Sequence, residues 1–466
     1  MDQSIDKLRD FIDASPTAWQ AVDSIAARLS AAGGTRLDER EPWKLEPGLL
    51  YWVERSGSGL IAFKPGLRSP AEEGFAVAGA HTDSPGLKLR LEKRLGARGM
   101  ERCAIEVYGS PILSTWLDRP LAVAGRLVLK GEGGLSTRLV SIDRPVGIVP
   151  NLAIHLNRDV NKGYEYNAQT QLPVLIASDP GRGGGGVAVL PGASGKASGE
   201  AIDGLAGAGS RDPESFGDES ASAIVKILGS ELDVEPTSIV SADLFFVDAQ
   251  KTSLIGSDLI NGYRLDNLLG CHAVLEALVG SKNAAHGQVA AFFDSEEIGS
   301  RTRMGADSSF LRDILARITS LSGSTTEGFH RALASSFSVS VDVAQAWHPG
   351  WPEKFDETFS PLLNGGPAVK VNANHRYATD ALSEARFRGF CETAGVPCQK
   401  FQTRADMSPG STIGPISAAL SGMATVDVGS PLLSMHSLRE TAGTRDQAMM
   451  TAALAVHFAV SPKGGV

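Results

Sequence analysis

The chain has 466 residues, of which 42% are hydrophobic and 21% charged, the proportions of a globular protein too long for one ordinary core. A net charge of −9, with no basic cluster carrying interleaved aromatics, argues against nucleic-acid binding. No apolar run approaches the roughly 20 residues that span a bilayer, so no membrane role is expected.

The N-terminal stretch is acidic and amphipathic. Ile5, Leu8, Phe11 and Ile12 fall at helical spacing, without the charged-then-apolar layout of a signal peptide. Next comes "FAVAGAHTDSPGLKLR" (75–90), a strand running into a loop. A β-rich region follows, with "ERCAIEVYG", "LAVAGRLVLKG" and "STRLVSIDRPV". Residues 181–220 hold 12 glycines in 40 residues and read as a mobile loop, because so little side chain cannot offset its ordering entropy. "DLFFVDAQKTSLIGSDLI" is again strand-like. From about residue 262 strands and helices alternate: a helix over "DNLLGCHAVLEALVG", strands at "QVAAFFD", "FSVSVDVAQ" and "ATVDVGS", and a closing helix in "TRDQAMMTAALAVHFAV". Alternation of this kind predicts an α/β fold with helices on both faces of the sheet. The simplest arrangement is a discontinuous α/β domain, 1–90 and 256–466, interrupted by a β-rich domain at 91–255. Cys103, Cys271, Cys391 and Cys398 form no CxxC pair, which suits free thiols in a cytoplasmic protein.

Several acids and histidines lie just past predicted strands. His81 and Asp83 follow "FAVAGA", Glu296 and Glu297 follow "QVAAFFD", and His436 follows "ATVDVGSPLLSM". Asp342 lies within "FSVSVDVAQ", where a buried carboxylate is costly unless paired or metal-bound. In α/β sheets ligands bind beyond the carboxyl ends of the strands, so these side chains can converge on one edge. Two histidines and three carboxylates there form a set for two divalent metals with one carboxylate bridging them, and imidazole with carboxylate and no thiolate suits zinc or a neighbouring first-row metal. The alternative reading of each is an ordinary polar residue at a strand end, and Asp266, in "LDN", reads as a helix N-cap. Asp83, two residues after His81, is placed to orient its imidazole.

The stretches "GAHTDSPGLKLR", "RLDN", "DSEEIGSRTRMGAD", "HPGW" and "VDVGSPLLSMHSLRE", in this order, resemble the aspartyl aminopeptidase family, metallo-exopeptidases with a co-catalytic zinc pair. The likeness runs from "FIDASPTAWQAV" to "MHSLRETAGTRD". It implies a metallopeptidase domain interrupted by a smaller dimerisation domain. It also implies two Zn2+ per subunit: His81 and Asp342 on one, Glu297 and His436 on the other, and Asp266 bridging. Glu296 would be the general base of a zinc-activated water, and Asp83 would brace His81. His155 resembles a histidine that reaches the partner subunit's active site. His348, Lys370 and Tyr377 resemble substrate-pocket residues, Lys370 being the cation for an acidic first side chain. Dimers would assemble into tetrahedral dodecamers. The implied activity is removal of N-terminal Asp or Glu from peptides. A broad or neutral aminopeptidase and an inactive assembly protein are the competing expectations. The chain departs from the family pattern at Pro409, where a Cys is usual before the glycine, and at Ser110, Pro111 and Ile112, where Gly-rich and aromatic residues are usual.

Overall fold

The computed structural model describes residues 3–178 and 222–463, so the expected mobile loop at 181–220 lies outside the described residues. By compactness the chain forms two units. One holds Met1–Leu87, Val107–Trp116 and Phe245–Val466, and the other Lys88–Glu106 and Leu117–Leu244.

The larger unit is built on a nine-stranded mixed sheet. At its centre four strands run parallel, in the order Gly287–Phe293, Phe75–His81, Phe337–Val341, Ala424–Gly429. The first three are buried along their whole length, which is why they read as apolar runs rather than as alternating patterns. Alternate side chains nevertheless serve different cores. Ala76, Ala78, Ala80 and Phe292 pack under helices Ala18–Ala31, Leu265–Gly280 and Asp446–Ala459. Phe75, Val77, Val289 and Phe293 pack with helices Phe310–Leu321 and Thr326–Ala334 on the other face. Each large side chain so buried contributes about 1.5–3 kcal/mol relative to exposure.

The N-terminal amphipathic pattern forms helix Gln3–Asp13, burying Ile5, Leu8 and Ile12. A second sheet of this unit, five-stranded, orders as Ser253–Ile255, Leu259–Gly262, Glu440–Gly443, Pro431–Leu433 and Ala344–Gln345. The smaller unit carries most of a six-stranded sheet, in which Leu121–Gly131 pairs antiparallel with Gly134–Gly147. There Asp243 is held by Lys88 at 2.9 Å and Arg126 at 2.7 Å. The expected combination of an α/β unit with a β-rich unit is what the chain adopts. All four cysteines are free.

Candidate metal centre

The parallel strands share direction, so their carboxyl ends lie along one edge, and the predicted acids and histidines gather there. His81 is the last residue of its strand, and Asp342 directly follows Val341. Glu296 and Glu297 form a single 3₁₀ turn three residues beyond Phe293. With Asp266 and His436 they line a cleft of about 460 Å³ that Lys370 and Tyr377 also border.

Asp266 corrects the N-cap reading. Its backbone is not helical, and it is the next residue, Asn267, whose Oδ1 accepts the Gly270 N–H at 3.2 Å. With that duty taken over, the Asp266 carboxylate faces two groups of ligand atoms. Its Oδ1 lies 3.3 Å from His81 Nε2, which is also 3.4 Å from Asp342 Oδ1. Its Oδ2 lies 3.4 Å from His436 Nε2, which is also 3.4 Å from Glu297 Oε2.

These spacings fit metal ligation. A tetrahedral zinc with ligands at ~2.1 Å has neighbouring donors ~3.4 Å apart. The sets His81–Asp266–Asp342 and Asp266–Glu297–His436 each bring their donor atoms within 4.8 Å of one another. Asp266 Oδ1 is buried without a hydrogen bond, an orphan that a cation would satisfy. His81, Glu296 and Glu297 form an overlapping set. His81 has only Nε2 to offer, because its Nδ1 bonds the Asp83 carbonyl at 3.1 Å, and Nε2 faces the two aspartates. His436 is oriented in the same way, Nδ1 bonding the Ser110 carbonyl at 3.0 Å.

Asp83 does more than brace His81. Its Oδ1 accepts the Glu296 N–H at 3.0 Å, and its Oδ2 accepts the Glu297 N–H at 3.1 Å and the Tyr108 hydroxyl at 2.9 Å. One buried carboxylate thus fixes the backbone of both neighbouring glutamates. Arg264, also buried, donates to the carbonyls of Ser15 and Thr82 beside it.

Crowded acids set the electrostatics. Burial, then the Asp266 charge, holds the Glu297 carboxyl well above its ordinary range. Burial, with Asp342, Asp83 and Asp266 adding to it against His81, pushes Glu296 up to about 8. Burial opposes protonation of His81, but the carboxylates of Asp266, Asp342 and Asp83 facing it outweigh burial and raise the imidazole well above its usual value. His436 rises to about 9 through Asp266 against the same burial. Asp342 is lowered despite burial, chiefly by Lys370, whose Nζ lies 3.0 Å from Asp342 Oδ2. Divalent cations among these groups would relieve the repulsion and displace the protons.

The other expected residues are placed as follows. Lys370 is 3% exposed, buried rather than solvated at a strand edge, and its Nζ sits 5.5 Å from the Tyr377 ring centroid. His348 does not line the cleft; its Nδ1 accepts the Gly350 N–H at 3.0 Å and its ring packs on Trp351. His155 lies on an exposed turn of the smaller unit. Asn267, which with Asp266 was expected to open the helix, is the one that caps it, whereas Tyr108 and Glu440 are functional neighbours that the sequence did not single out. Glu440 is buried and accepts the Asp266 N–H at 2.9 Å and the His436 N–H at 2.7 Å. Neither Tyr108 nor Glu440 carried a signal in the sequence.

The family model described as "Aminopeptidase I zinc metalloprotease (M18)" matches residues 11–458. The chain belongs to the M18 family of zinc aminopeptidases. It is 40% identical over 456 residues to "Probable M18 family aminopeptidase 2" of Pseudomonas aeruginosa, covering 97% of each. Among solved M18 structures, mApe1 of Chaetomium thermophilum is 30% identical with a TM-score of 0.83, over 98% of this chain and 97% of that one. The S. cerevisiae mApe1 dodecamer is 26% identical with a TM-score of 0.80, over 98% and 96%. The aspartyl aminopeptidase resemblance is thereby established, and with it an aminopeptidase activity, in a family whose members are zinc metalloproteases.

Proposed function

We propose that this M18 aminopeptidase holds two divalent ions, zinc by preference, and removes acidic N-terminal residues from peptides. The observation that carries the reading is the Asp266 carboxylate, whose two oxygens face separate ligand pairs, His81 with Asp342 and Glu297 with His436. When bound, the metals supply Lewis-acid polarisation of the scissile carbonyl and a water of lowered pKa. Glu296 borders the same cleft and is not needed to complete either ligand set, so it accepts the proton of the attacking water and returns it to the leaving amine. The surrounding carboxylates attract the substrate's free α-amino group, which limits cleavage to the first residue. Asp83 holds both glutamates in place.

Among the described residues Lys370 is the only lysine or arginine lining the cleft, which supports recognition of an acidic first side chain. Its ion pair with Asp342 favours the second reading, a broader specificity, because the cation is already partly neutralised. The smaller, β-rich unit is proposed as the dimerisation domain, with His155 on it serving a partner's site. The dodecamer of the yeast neighbour supports a homo-oligomer of the same kind. The four free thiols support a cytoplasmic setting.

Initial rates on Asp-, Glu-, Leu- and Lys-initiated peptides test the specificity. Acidic residues should lead, and a clear preference for Leu would sink the acidic assignment. Metal analysis of the purified protein tests the centre, with fewer than one ion per chain counting against it.

A further inference from the structure

We infer that Glu440 is a positioning residue that presents Asp266 and His436 together to the second metal ion; this rests on the two-metal reading above. Glu440 is 2% exposed, yet no cation pairs with its side chain among the described residues. Both of its oxygens are used on backbone donors. Oε2 accepts the Asp266 N–H at 2.9 Å and Oε1 the His436 N–H at 2.7 Å. A buried carboxylate is costly to keep for the sake of structure alone, since a neutral amide or hydroxyl would serve an ordinary strand. Here the two donors are the main-chain groups of two ligands 170 residues apart in sequence, both in the Asp266–Glu297–His436 set.

A second observation concerns the backbone at His436. Its φ is +68°, in the left-handed region that non-glycine residues rarely adopt, and Ser434 nearby has φ +60°. Such a conformation persists where surrounding bonds over-determine it, and the His436 N–H bond to Glu440 supplies one. The base of Glu440 is itself fixed. Its residue pairs with Gly262 across the five-stranded sheet, and its carbonyl accepts Asn261 Nδ2 at 3.0 Å. One carboxylate on a rigid strand therefore sets the separation of the bridging ligand from the terminal one. His81 and Asp342 make no bond to it, so the other site depends on it only through the shared Asp266, whereas the second depends on it through both Asp266 and His436.

The test is a zinc titration of metal-stripped protein in chelator-buffered solutions, with bound zinc counted by elemental mass spectrometry. Wild type should take up two ions. Glu440→Gln keeps the shape but turns an amide nitrogen toward one of the two N–H donors. It should bind the second ion at least ~10-fold more weakly, the usual effect of removing a group that orients a ligand, and the first, which it reaches only through Asp266, with a smaller loss. Two ions bound with wild-type affinities by Glu440→Gln, or both weakened equally, would overturn the inference while leaving the two-metal reading standing. A wild-type chain that binds only one ion overturns both. If Glu440→Gln does not fold, the same titration is read on Glu440→Asp, which reaches at most one donor, with the same outcomes.

Discussion

Replacing Asp83 by Asn keeps the size of the side chain and removes one acceptor and the charge. Which donor is left unpaired can be worked out from the bonds. With the amide nitrogen at the Oδ1 position, it faces the Glu296 N–H and the His81 ring, neither of which can accept from it there. With the nitrogen at the Oδ2 position, it faces Tyr108, whose hydroxyl can rotate to accept, and only the Glu297 N–H is orphaned. The second orientation is therefore adopted. An unsatisfied buried donor costs about 1–3 kcal/mol, and loss of the charge-assisted bonds a comparable amount, giving about 2–5 kcal/mol in all. The disturbance falls on Glu297, so turnover should drop about 100-fold through misplaced ligands and base. Urea unfolding gives the stability term and kcat/KM on the preferred peptide the catalytic one. A variant within ~0.5 kcal/mol of wild type and with unaltered kcat/KM would refute the assignment of Asp83 as the anchor of both glutamates.

Glu296→Gln should keep its metals and lose about 10²–10⁴-fold in turnover, whereas Glu297→Gln should lose metal affinity; elemental analysis beside kinetics separates them, and a reversed pattern exchanges their roles. His457 is buried among Phe337, Phe390 and Phe458, and burial depresses its pKa to about 3 against the weaker opposing bond to the Val77 carbonyl. Because the folded value lies below the unfolded one, its contribution is complete above pH ~6.5 and declines as pH falls toward ~3. The stability advantage of wild type over His457→Gln in urea should thus shrink by about 2–3 kcal/mol between pH 7.5 and 4.5, and a constant advantage contradicts the buried neutral state. Gly414→Ala would place a Cβ 2.2 Å from the buried Asp427 Oδ2, which holds the Ala378 N–H at 2.6 Å. Scanning calorimetry should show a loss of about 1–3 kcal/mol, and an unchanged melting temperature contradicts the close packing.

The central strands and the acids that follow them were legible because parallel strands are apolar on both faces, so a charged residue ends the run conspicuously. What was illegible depended on where side chains turn. The Asp in "LDN" looked like a cap because Asp and Asn are equally good cap formers, and only the fold shows that Asn267 accepts the Gly270 N–H. Glu440 sits in "SLRE", which resembles a solvated charged stretch; its burial comes from strand pairing with Gly262. Asp427 was findable. It interrupts the apolar "TVDV" just as Asp342 interrupts "SVDV", and it accepts the Thr412 hydroxyl at 2.7 Å.

The candidate ligands are drawn from positions 81, 266, 297, 342 and 436, each from a separate segment of the sheet's edge. The last of them in the chain, His436, is added 170 residues after Asp266, with which it shares a ligand set. The helix Asp446–Ala459, which buries Met450, Leu454 and Phe458 in the core beneath the sheet, follows later still. A chain that lacks His436 keeps four of the five ligands and the whole His81–Asp266–Asp342 set, while the Asp266–Glu297–His436 set stays incomplete. The second set is thus assembled only once a segment far downstream of its other members has joined the fold.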